Sequence, residues 1–173
     1  MEEYDLKFAE GVFDEESLFT TPAYLHFKRI YLLNEYLHRY FQNPISSTNN
    51  LMKDMKRRDD NMKTWEETYY AMKNDGSLDE NHELAEWFFI INYFIRSLVF
   101  ATGRNIPYDL ETVKHMQQVV HEWFPDFMQN KSLQSRQLYK EPMKLIDVEL
   151  DESNFAAFNA AWEEIVKTYP EGI

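Results

Sequence analysis

The chain has 173 residues, with 13 Phe, 11 Tyr and 4 Trp but only 4 Gly, 6 Pro and no Cys. This ring content favours one domain, residues 1–173, around a sizeable core; the few turn-formers disfavour a sandwich or barrel, and the missing thiols exclude disulfides, thiolate metal sites and a cysteine nucleophile. Thirty acids against 18 bases give a net charge of −12, the wrong sign for general binding to nucleic acid or to an anionic membrane.

Thr21-Pro22 has the chemistry of an N-cap and a first helical residue, and apolar character then runs to Phe41 before Asn43-Pro44, so a first helix is expected there. Its face of Ala23, Phe27, Ile30, Leu33, Leu37 and Phe41 should be buried, with His26 and Asn34 inside it. A hydrogen-bonded core histidine is the ordinary outcome for His26; a ligand contact is the sharper one.

A second helix should begin near Ser47 or Thr48 and stop near Lys73, where Asn74-Asp75-Gly76 supplies a left-handed exit. Leu51, Met55, Met62, Trp65, Tyr69 and Met72 mark its apolar stripe, interrupted at Arg58. An arginine there must reach the surface along its stem or find a partner. Lys53, Lys56, Arg57, Arg58 and Lys63 cluster around it, diluted by Asp54, Asp59 and Asp60.

The third helix is expected from Leu78 or Asp79 to Ala101, apolar nearly all round from Trp87 to Phe100, and therefore central. Glu86, Asn92 and Arg96 within it argue against a membrane span. Asn92 and Arg96, one turn apart, should be semi-buried, with a carboxylate or carbonyl from another helix facing Arg96.

A fourth helix should run from an Asp109 cap to Trp123, followed by one or two short helices over 127–139 and a last helix from about Glu152 to Thr168. Ala156, Ala157, Ala160 and Ala161 on that last helix would let a neighbour in the same chain approach closely. Alternation of apolar and charged residues at 4–8 and 146–150 could pair the chain ends in a two-stranded ribbon. The expected fold is thus mainly all-α, a single-domain bundle of about five to seven helices.

No pattern of catalytic chemistry emerges. Glu35 and His38 have the spacing of one half of a di-metal site without a second copy, Asp79 and His82 sit where a helix cap is expected, and His115 and His121 lie about 240° apart round one helix. Phosphate loops, nucleophile elbows and zinc helices are absent, so no catalytic residue, metal or cofactor is assigned. The expected compartment, given no signal segment after Met1, is the cytoplasm.

Acidity gathers at the ends: residues 1–20 hold seven acids and one base, residues 141–173 eight acids and two bases. Asp75, Asp79, Glu80, Glu83 and Glu86 form a third acidic stretch. The leading expectation is a non-enzymatic module that binds a protein with a basic surface through that stretch, as an inhibitor or an immunity or anti-defence protein would. A small-ligand protein or enzyme with a polar pocket drawn from His26, Asn34, Arg58, Asn92 and Arg96 is the alternative, and a DNA mimic or a self-associating scaffold subunit is a third.

Overall fold

The structure, a computed structural model, describes residues 6–12, 14–39 and 51–168, the side chains of 51–53 excepted. Eight helices follow one another there: α1 (Ser17–His26), α2 (Leu51–Asn74), α3 (Ser77–Glu80), α4 (His82–Gly103), α5 (Leu110–Trp123), α6 (Lys131–Gln134), α7 (Gln137–Ile146) and α8 (Phe155–Thr168). The protein is mainly all-α, and the described residues hold no strand. The expected ribbon does not form: Ile146 closes α7, the Val148 carbonyl accepts a bond from the Gln117 amide, and Leu150 turns into the core. Residues 4 and 5 lie outside the described part.

Local chemistry explains most boundaries. Gly76, at φ +80°, takes the left-handed exit from α2, and the Asp75 carboxylate accepts from the Ser77 N–H at 2.9 Å. The expected third helix breaks at Asn81, whose backbone leaves the helical region and whose amide donates to the carbonyls of Leu25 and Ser77. This single residue ends α3 and covers the C-terminal end of α1. Asp109 caps α5 by accepting from the Thr112 N–H at 2.9 Å.

Helix α1 departs most from its expected bounds. It begins at Ser17, so Pro22 lies inside it, and it ends at His26 rather than near Phe41. Phe27, Ile30, Leu33 and Leu37, expected in the core, are exposed, and Phe41 lies outside the described residues. Neither Gly nor Pro breaks the sequence between Ala23 and Phe41, so the change is not one of local propensity: the chain leaves the surface of the bundle after His26.

α4 is the central rod, as its apolar run requires. Ala85, Phe89, Tyr93, Ser97 and Ala101 are all buried, each four residues after the last. In a straight α-helix every such step turns about 40° beyond a full circle, which would wind the buried row away from its neighbours. The rod instead passes through a π-helical turn, Ile91–Arg96, whose extra residue per turn holds the row in place. That turn is packed by α2, α5 and α7, while the last part of α4 packs on α8. By length and composition α4 could cross a membrane, but 61% of its most apolar window is already covered by the rest of the protein.

One continuous core results. Phe89 lies against Tyr93 and Trp65, Tyr69 stacks on Trp123 at 3.9 Å, and Phe94 meets Trp162. In contrast, Ala156, Ala157 and Ala160 of α8 are exposed, so no helix of the described chain uses that small-residue face.

Candidate functional site

The π turn that keeps the core aligned also borders a cleft of about 430 Å³ between α2, α4 and the segment before α1. Arg57, Arg58, Asn61 and Trp65 come from α2, Asn92, Arg96, Ser97 and Phe100 from α4, and Asp14 and Glu16 from the N-terminal side. The spacing on α2 follows from helix geometry: Arg58, Asn61 and Trp65 stand three and four residues apart and therefore share a face.

The polar groups form a connected set. Asn61 Nδ2 donates to Ser97 Oγ at 2.6 Å, and Ser97 Oγ donates to the Asn92 carbonyl at 2.9 Å. The Asn92 side chain donates to the Phe88 carbonyl and accepts from Arg96 Nη1 at 3.0 Å. Arg96 is exposed at the cleft and, among the described residues, has no carboxylate partner. The expected partner from another helix is therefore corrected: the expectation assumed a uniform turn per residue, and the π turn swings residue 96 off the packed face.

The two neighbouring arginines are held differently. Arg57 makes two bonds to the Asp14 carboxylate, at 2.8 and 3.2 Å, which hold the guanidinium above its ordinary pKa and tie the N-terminal segment to α2. Asp14 itself sits at φ +60°, in a loop closed by the Ala9 N–H bond to the Glu15 carbonyl. Arg58 donates to the carbonyls of Ile106 and Pro107 at 3.1 and 2.9 Å and lies over the Tyr108 ring at 4.8 Å. Tyr108 donates back to the Arg58 carbonyl, and burial pushes its phenol well above the ordinary range. Arg58 thus secures the wall of the cleft, and Arg96 is the cation turned toward its mouth.

Three of the five expected pocket residues, Arg58, Asn92 and Arg96, meet here. His26 does not: its Nε2 lies 2.9 Å from Asp75 Oδ2, in a structural pair joining α1 to the exit of α2. Asn34 lies on the exposed segment after α1. Asn61, Ser97 and Tyr108 were not anticipated, although the position of Asn61 between Arg58 and Trp65 was a readable signal.

The acidic stretch separates into two kinds of group. Asp79 and Glu80 on α3 and Glu83 at the start of α4 are exposed. Asp75 is engaged with His26 and Ser77, and Glu86 is 4% exposed, with Oε2 accepting from Asn130 at 2.6 Å and Oε1 buried without a hydrogen-bond partner among the described residues. Burial raises the Glu86 pKa against the opposing effect of Asn130. No three His, Asp or Glu side chains among the described residues are grouped as a metal site. No protein-family model matches the chain, and no curated protein or solved structure matches it.

Proposed function

We propose that the protein is a binding module whose cleft between α2 and α4 takes a small molecule carrying an acid group on an apolar body. The observation that carries this reading is Arg96, a cation held in place by Asn92 at a π turn and turned toward the cleft with no carboxylate partner among the described residues. Trp65, Val99 and Phe100 supply apolar wall for the rest of the molecule. A cleft of about 430 Å³ is of the size that small ligands occupy. Its lining sets three arginines, Arg57, Arg58 and Arg96, against the carboxylates of Asp14 and Glu16, an excess of positive charge that suits recognition of a carboxylate or phosphate.

A protein partner with a basic surface receives less support. Of the five carboxylates that would form its contact, Asp75 and Glu86 are engaged or buried inside the molecule.

Benzoate and phenyl phosphate are suitable probes. Titrated into isotopically labelled protein, they should shift the side-chain amide signals of Asn61 and Asn92, and Arg96→Met should weaken binding about tenfold or more while leaving the melting temperature within a few degrees. Amide signals that stay fixed at millimolar probe, or binding that Arg96→Met leaves unchanged, would reject the cleft as the site.

A further inference from the structure

Thirteen large apolar side chains are exposed among the described residues, and seven of them fall between Phe27 and Leu37. Tyr31 and Leu32 are 87% and 88% exposed. Scattered exposed hydrophobics are ordinary, but a contiguous set of this size marks an interaction surface. The segment 27–39 has no regular structure, and its side chains make no hydrogen bond or ion pair to the described body. Its charge is opposite to that of the whole: Lys28, Arg29 and Arg39 against Glu35, in a chain of net charge −12.

The same molecule carries a surface that complements this arm. Where the start of α5 meets the start of α8, an open groove of about 620 Å³ has Leu110, Phe155 and Ala156 as its apolar floor. Asp109, Glu111 and Glu152 form its acidic rim. The exposed alanine face of α8 continues from the groove, and small side chains there allow close approach of another backbone.

We propose that two copies of the chain associate by exchanging arms, with residues 27–39 of each copy lying in the groove between α5 and α8 of the other. The apolar side chains of the arm then leave water, and its cations meet the acidic rim. The chain leaves α1 at His26 and returns to α2 at Leu51, and half the extended length of that connection is roughly 40 Å, enough to reach from one body to the next. Exchange makes the two contacts equal and closes the assembly as a symmetric dimer. An arm attached to an acidic body is a poor fit to a second acidic protein except at a groove that offers both apolar floor and carboxylate rim, as this one does.

Sedimentation velocity of the full chain tests this with two charge-reversed proteins, Lys28→Glu/Arg29→Glu in the arm and Glu111→Lys/Glu152→Lys in the groove. All four side chains are exposed, so helical content should be unchanged. The native chain should sediment as a dimer, and each variant alone should dissociate about tenfold more readily, since like charges then face each other in both contacts. Mixed in equal amounts, the two variants should form a heterodimer, because a reversed arm meets a reversed groove and a native arm meets a native groove. A native chain that stays monomeric up to about 100 µM would overturn the proposal, since even modest affinity populates a complex there. So would a dimer indifferent to both reversals, or variants that fail to rescue each other when mixed; arms captured by a different, acidic protein in place of a second copy would overturn it too.

Discussion

Glu86 illustrates how one residue can oppose the fold it belongs to. A buried carboxylate with one oxygen bonded to Asn130 and the other without a hydrogen-bond partner among the described residues is better tolerated neutral than charged, and burial raises its pKa. The unfolded chain releases this proton near the ordinary 4.5, before the folded chain does. Between the two values the folded state binds more protons, so stability falls as pH rises from about 4.5 through the folded value, and the penalty is fully present above it. Glu86→Gln keeps an acceptor for Asn130 and removes the titration. Denaturant unfolding across this range should show a flatter pH dependence in the variant and a smaller stability difference from the native chain at low pH than at neutral pH. Parallel pH curves would show that Glu86 is not the source.

The elements differ in how plainly the sequence announces them. Asn74-Asp75-Gly76 and Asp109 act through their own backbone and nearest neighbours, so their positions could be read directly. Asp109→Ala should cost about 1 kcal/mol, the usual loss for a helix N-cap, measured as a shift of the unfolding midpoint without loss of structure elsewhere. The Asp109 carboxylate is held below its ordinary pKa by the Thr112 N–H, so its contribution is present above 3.8 and fades as pH falls through its lower folded value. A stabilised Asp109→Ala chain at neutral pH would contradict the cap.

Other elements depend on what the rest of the molecule does. The π turn is visible in sequence only as buried positions repeating at four, and recognising that repeat requires knowing which positions are buried. Arg58, Asn92 and Arg96 stood out because each is polar on an apolar face, whereas Ser97 and Tyr108 look ordinary until the cleft is assembled. The end of α1 could not be read at all. Residues 27–41 keep a helical repeat, and only the absence of packing against the bundle explains why the described part of that repeat is not helical.

At the scale of the whole molecule, a single cluster of buried side chains joins the helices from α1 to α8. Phe94 is fully buried at its centre, in the π turn and against Trp162. Phe94→Asp would combine a lost ring with an unpaired charge and should destabilise the fold by about 4 kcal/mol or more, enough to unfold a protein of ordinary stability. Circular dichroism should show loss of cooperative melting. A variant that melts like the native chain would mean that α4 is not the centre of the core.

The four tryptophans occupy four different optical environments. Trp65 is 4% exposed and forms part of the cleft, Trp123 is stacked on Tyr69, Trp87 is half-covered beside Phe88, and Trp162 is wholly enclosed between Phe94 and Phe158. Because Trp65 borders the cleft and the other three indoles do not, a chain keeping Trp65 alone would emit from the cleft, while a chain keeping Trp162 alone would report whether the core is intact. Filling a site and loosening a fold, which the summed fluorescence of four indoles confounds, would be separated by comparing those two single-tryptophan chains.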